Sequence, residues 1–187
     1  VLTLDTVGGF TTTAAGSYAS GRLVVGTSSA DNPTLANTGV VYAGLAGQDS
    51  VTGGTGNDAI WGGAGNDVIR GGAGRDILNA GTDGGWVSYS TSASGVTVNL
   101  LTGVNTGGDA EGDIIVNSLW LQGSANNDSL TGDANNNWLA GVAGADVLDG
   151  GAGSDYADYY LSSSGVSVNL TTNVNTGGDA AGDTLFN

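Results

Sequence analysis

Seven aspartates recur at one fixed place in a nine-residue pattern, Gly-Gly-x-Gly-x-Asp-x-apolar-x. Three copies are perfect: GGTGNDAIW at 53–61, GGAGNDVIR at 62–70 and GGAGRDILN at 71–79. A looser copy, GLAGQDSVT, precedes them at 44–52, and weaker ones follow at 123–131, 132–140, 141–149 and 150–158. The sixth position holds Asp49, Asp58, Asp67 and Asp76 in the first block, then Asp128, Asn137, Asp146 and Asp155 in the second. A carboxylate beside the carbonyls of a glycine-rich turn suits calcium, which takes about six to eight hard oxygens in flexible geometry. One turn cannot supply that many. Two stacked turns can.

The elements that must position these groups follow from the same nine residues. The first six turn sharply, and the last three alternate as a short strand with the apolar residue inward. The inward set is Val51, Ile60, Ile69 and Leu78, then Leu130, Leu139, Leu148 and Ala157. Nine residues make half a coil, so turns on one side recur every eighteen. Asp49 then stacks on Asp67, Asp58 on Asp76, Asp128 on Asp146 and Asn137 on Asp155. Without an ion, aligned carboxylates repel. The competing reading is a flexible Gly/Asp linker, but a linker needs no apolar residue two places after each Asp.

A second periodicity contains the first. Residues 92–113, SASGVTVNLLTGVNTGGDAEGD, return seventy residues later as SSSGVSVNLTTNVNTGGDAAGD at 162–183. Tandem units of this length read as a solenoid with end-on stacking. The expected fold is all-β, a parallel β-roll or β-solenoid. Its expected divisions are a β-rich lead-in at 1–43, a first repeat block at 44–85, a β insert at 86–122, a second, degenerate block at 123–158 and a second copy of the insert at 159–187. The lead-in has strand-like stretches at 1–4, 22–26 and 40–43, and reads as strands entering the roll or a coil without calcium. VLTLDTV at 1–7 alternates like an uncapped strand, and GDTLFN at 182–187 ends in another. The absence of an initial Met and a break inside the seventy-residue unit suggest a piece of a longer protein.

Composition narrows the function. The 187 residues include 36 Gly, one Pro and no Cys or His, and 18 acids oppose three basic residues for a net charge of −15. That balance excludes a phosphate-binding footprint and adsorption to an anionic membrane. No apolar run is long enough to span a bilayer. Lacking disulfides, an extracellular chain can be stapled by an ion that binds only the native state. Without His or Cys there is no nucleophile–histidine pair and no zinc site; the GGxG stretches lack the Lys-Ser/Thr of a phosphate loop. The chain reads as a non-enzyme.

The insert offers an acidic turn, TGGDAEGD, whose Asp109 and Asp113 recur as Asp179 and Asp183. It is either a further calcium site or a solvated hairpin loop. Gly85 stands where Asp155 stands in the other copy, so a site is missing there. Trp61 and Trp138 take outward positions, and Trp86, Trp120, Tyr89, Tyr159 and Tyr160 flank the blocks. They pack under inserts and coil ends, or they stack a sugar or partner protein.

The three perfect copies resemble the RTX, or hemolysin-type calcium-binding, repeats of bacterial proteins exported by type I secretion. The resemblance covers about 44–187 and includes the GVTVNL…GGDAxGD insert. It implies several calcium ions held by Asp49, Asp58, Asp67, Asp76, Asp128, Asp146 and Asp155. Carbonyls of the intervening turns would complete the sites: Gly53, Thr55, Gly62, Ala64, Gly71 and Ala73 in the first block, Gly141, Ala143, Gly150 and Ala152 in the second. Departures at Ser124, Asn126, Asp133, Asn135, Asn137 and Val142 predict weaker sites in the second block. The implied role is a secreted structural module at the bacterial cell surface, in a surface layer, adhesin or filament. It would fold on calcium and self-associate with neighbouring repeats or subunits, with no nucleic acid and no membrane insertion, and with a surface glycan as a further candidate partner. The alternative is the secretion and folding module of a larger secreted hydrolase, protease or toxin.

Overall fold

The computed structural model describes residues 3–4, 10–11, 17–18, 21–81 and 83–186. The expected strand at 1–7 lies mostly outside them; within it β1 (Thr3–Leu4) pairs antiparallel with β2 (Phe10–Thr11). A second antiparallel pair joins β3 (Ser17–Tyr18) to β4 (Gly21–Val25). All other strand pairs are parallel, and the described residues contain no α-helix.

The nonapeptide dictates the rest. Its Gly-rich half turns and its x-apolar-x half is extended, which gives a strand about every nine residues on alternating sides. One side stacks β4, β5 (Val40–Ala43), β7 (Ala59–Trp61), β9 (Ile77–Asn79) and β12 (Ile114–Val116). It continues as β11 (Thr97–Asn99), β14 (Ser129–Thr131), β16 (Val147–Asp149) and β18 (Thr184–Phe186). The other side stacks β6 (Ser50–Thr52), β8 (Asp67–Arg70), β10 (Gly85–Ser88), β13 (Trp120–Gln122), β15 (Trp138–Ala140) and β17 (Tyr156–Ala157).

The predicted apolar residues meet in register. Val51 pairs with Ile69, Ile69 with Val87, and Ile60 with Leu78, all with no exposed surface. Leu121, Leu130, Leu139 and Leu148 continue the core, whereas Ala157 on the outermost strand β17 is exposed. The core is therefore two facing files, each one residue deep, Val51–Ile69–Val87 on one side and Ile60–Leu78 on the other, and each buried Ile or Leu contributes about 1.5–3 kcal/mol.

One coil begins earlier than the repeat pattern suggests. Gly26 donates to the Ala43 carbonyl and Leu35 to that of Thr52, at 2.8 and 2.7 Å, so residues 26–43 form a full coil under the first block. The insert departs further from regular winding. Strand β11 pairs ahead with β14, Val98 facing Leu130. The chain then reverses through a Thr97–Thr106 antiparallel bridge and a 3-10 turn at Gly108–Ala110, and β12 comes back to pair with β9. The second copy repeats this with a Ser167–Thr176 bridge, a 3-10 turn at Gly178–Ala180 and β18 on β16.

Candidate metal centre

Each sixth-position carboxylate has two separate jobs. One oxygen ties adjacent coils. Asp67 Oδ1 accepts the N–H of Asp49 at 2.9 Å, and Asp76 Oδ1 that of Asp58 at 2.7 Å. Asp146 Oδ1 accepts from Asp128, and Asp155 Oδ1 from Asn137, both at 2.8 Å. The predicted partners are therefore neighbours, linked by a main-chain donor rather than left facing each other bare. Asp58 and Asp128 also take Val40 and Val96 N–H groups, where no Asp precedes.

The second oxygen faces inward over the turn. In Asp49, Asp67, Asp76 and Asp146 it is buried with no hydrogen-bond donor among the described residues. A carboxylate oxygen in that position is strongly unfavourable unless a cation meets it. Main-chain carbonyls converge beside it: a Cβ placed on Gly44 would collide with both Asp49 Oδ2 and the Gly62 carbonyl. The same holds at Gly53, between Asp58 Oδ2 and the Gly71 carbonyl. First-position glycine thus leaves open a cradle walled by oxygens, which fits calcium's preference for hard oxygen donors. No three acidic side chains converge anywhere among the described residues. Each coil contributes one carboxylate, so the remaining ligands must be backbone carbonyls. The Gly62 and Gly71 carbonyls lie over Gly44 and Gly53, and that of Gly150 lies over Gly132. The Ala64 carbonyl already accepts the Gly47 N–H at 2.9 Å.

Not every rung is alike. Asp58 Oδ2 accepts the Gly54 N–H at 3.0 Å, and Asp128 Oδ2 accepts the N–H and hydroxyl of Ser124 at 2.6 and 3.2 Å. Asn137 uses its amide oxygen on the Asp133 N–H. Gly85 pairs beside Asp67, so that rung does lack a carboxylate. In the second block the hydrogen-bonded surroundings of Asp146 match those of Asp76. The changed residues Ser124 and Asn137 serve other rungs.

Burial pushes these carboxyls upward. Desolvation dominates at Asp76 and Asp146, raising both to about 7, with the charges of Asp113 and Asp183 respectively adding to it. Asp67 rises to about 6 for the same first reason. Asp49, Asp58 and Asp128 are raised less, because backbone N–H groups offset part of the burial.

The acidic turns of the insert supply further rungs. Asp113 Oδ1 accepts the Asp76 N–H at 2.8 Å, and Asp183 Oδ1 the Asp146 N–H at 2.9 Å. Asp109 and Asp179 stay outside the rungs; their N–H groups bind the hydroxyls of Ser92 and Ser162. Asp31, absent from the sequence-derived set, is also a rung: its N–H donates to Asp49 Oδ1 at 2.8 Å. The signal was present, since Gly26 and Asp31 lie eighteen residues before Gly44 and Asp49. Ser28, Ser29 and Pro33 disguise the nonapeptide.

On the outward face of the second stack, Trp86, Trp120, Trp138 and Tyr156 form a continuous row with ring centroids 5.2–5.8 Å apart. Beside it runs a groove of about 310 Å³ lined by Trp86, Arg70, Gln122, Asp158 and Tyr160 among others.

A parallel stack of short strands whose Gly-rich turns carry buried carboxylates beside glycine carbonyls has the form of a calcium-binding β-roll. The comparisons agree: the RTX calcium-binding nonapeptide repeat (4 copies) matches residues 43–83 and 122–157. These two blocks match that calcium-binding repeat, and repeats of this type bind several calcium ions. A search of curated proteins found no match.

Proposed function

We propose that the chain is a secreted structural module of the bacterial cell surface, folded by calcium at the Asp49, Asp67, Asp76 and Asp146 rungs. One observation carries this reading. Four carboxylate oxygens are buried without a donor among the described residues, and at Asp49 the Gly62 carbonyl converges on the same cradle. Asp58, Asp128 and Asp155, with carbonyls at the first and third positions, complete the ligand set. The nonapeptide blocks are calcium-binding structure with no catalytic constellation, and no helix of the described residues is long and apolar enough to cross a membrane.

Self-association is supported by one edge. Val96 and Val98 are buried under β14, whereas their equivalents Val166 and Val168 are 37% and 41% exposed. That edge has the chemistry of a surface that pairs with a further coil from a neighbouring repeat or subunit. The aromatic row and the groove beside it, which also presents Arg70, Gln122 and Asp158, support a surface glycan as a second partner, testable on a glycan array. The other reading, a folding module for an attached secreted hydrolase, protease or toxin, is separated by the adjoining gene sequence, where a catalytic domain would favour it.

The direct test is circular dichroism of the chain in EGTA, in millimolar calcium and in millimolar magnesium. Folding in calcium alone is expected, because magnesium's octahedral demand fits a carbonyl cradle poorly. A complete β spectrum in EGTA would overturn the proposal.

A further inference from the structure

The third rung of each run on the first stack is built differently from the two before it. Asp113 holds the coil below through Oδ1, as every rung does, but its Oδ2 accepts the Tyr89 hydroxyl at 3.0 Å. Seventy residues on, Asp183 Oδ2 accepts the Tyr159 hydroxyl at 2.8 Å. Tyr89 is 1% exposed, and in both copies the tyrosine lies 24 residues before its aspartate. The Asp113 carbonyl is engaged as well, by the Asn105 amide at 2.9 Å, and that of Asp183 by Asn175 at 3.0 Å. The oxygen left bare at Asp76 and Asp146 is therefore satisfied one rung later by a phenol, and the neighbouring carbonyl by a carboxamide.

We infer that Tyr89–Asp113 and Tyr159–Asp183 are metal-free rungs, in which the phenol hydroxyl stands in for calcium and ends each run without an ion. The inference rests on the ladder reading above. A phenol O–H donates to a carboxylate as a cation would attract it, yet it brings no positive charge and needs no further oxygens. A calcium ion at Asp113 Oδ2 would have to displace that hydroxyl into a core with no solvent to receive it. Along each run the second oxygen thus meets a donor of its own turn (Asp58, Asp128), no donor (Asp76, Asp146) and a tyrosine hydroxyl (Asp113, Asp183). The seventy-residue unit thus carries a built-in stop for its column of ions. The insert docks on the block below it by neutral hydrogen bonding.

Calcium stoichiometry tests this, measured by equilibrium dialysis at saturating calcium on the full chain and on the variants Asp76→Asn, Asp113→Asn and Tyr89→Phe. Asp76→Asn should lose one ion, and Asp113→Asn none. Loss of one ion in Asp113→Asn would make Asp113 a ligand and overturn the inference. If Asp76→Asn loses none, the ladder reading itself fails, whatever Asp113→Asn does. Tyr89→Phe keeps the test alive should Asp113→Asn not fold: the clamp predicts no ion lost and faster amide exchange across 107–113, whereas loss of an ion would show that the pair holds metal.

Discussion

Asp76 and Asp146 occupy the same rung of successive seventy-residue units. Each accepts one main-chain N–H eighteen residues upstream through Oδ1, each has its own N–H held by an insert aspartate, and each leaves Oδ2 buried without a donor. Surroundings are thus equivalent in a perfect and a degenerate block. What distinguishes the rungs is whether a donor from the same turn reaches the second oxygen.

Asparagine at these rungs should act differently in the two states. In excess calcium, Asp76→Asn and Asp146→Asn should each lower stability by about 2.7 kcal/mol at a hundredfold excess over the dissociation constant. In EGTA, where the parent is largely unfolded, neither should show less residual β structure than the parent, because the amide oxygen still accepts the upstream N–H and a buried uncompensated carboxylate has been removed. Chemical denaturation in calcium and circular dichroism in EGTA check this; a clear loss in EGTA would contradict the assignment.

The pH dependence follows from the raised carboxyls. Asp76 and Asp146, at about 7, and Asp67, at about 6, hold protons more tightly folded and metal-free than unfolded, where a carboxyl titrates near about 3.9. The metal-free fold therefore gains stability as pH falls from about 7 toward 4 and loses it as pH rises. Calcium affinity runs the other way and weakens on acidification. Calorimetry at pH 6.5 in two buffers of different ionisation enthalpy should detect proton release on calcium binding; identical heats would refute it.

Position two of the nonapeptide is left-handed in five of the eight copies, at Leu45, Gly63, Gly72, Val142 and Gly151. Val142 sits at φ 77° and Leu45 at φ 76°, where the perfect copies have glycine. Val142→Gly should raise stability in calcium by about 1 kcal/mol, the scale of left-handed strain for a side-chain-bearing residue. A thermal midpoint that does not rise would show that side-chain packing at Val142 outweighs the strain.

Each aliphatic file is one residue deep, so a gap on that side has no second layer to relax into it. Ile69, fully buried between Val51 and Val87, should lose about 2–5 kcal/mol on conversion to Ala. Denaturation in excess calcium measures it, and a loss below about 1 kcal/mol would mean that the coils close up.

Much of this was legible in the sequence because the repeat is local. Spacing alone placed Val51, Ile60, Ile69 and Leu78 in the core and paired Asp49 with Asp67, as the hydrogen bonds now confirm. The relations that escaped are the non-local ones. Nothing in GGDAEGD distinguishes a solvated hairpin from a turn that delivers Asp113 to a rung, since the deciding contacts are Asp76, 37 residues away, and Tyr89, 24 away. The reversal that brings β12 back to β9 is equally invisible, because IIV reads as a strand wherever it docks.

That reversal also unbalances the two sides of the roll. Between β9 and β16 one side takes four strands, β9, β12, β11 and β14, while between β8 and β15 the other takes three, β8, β10 and β13. The sides therefore do not advance in step within a unit, and the mismatch falls between β12 and β11, where no ladder joins them among the described residues. The other side, which carries the row from Trp86 to Tyr156, is the one whose ladder runs unbroken through both blocks and so holds the two units in a single register.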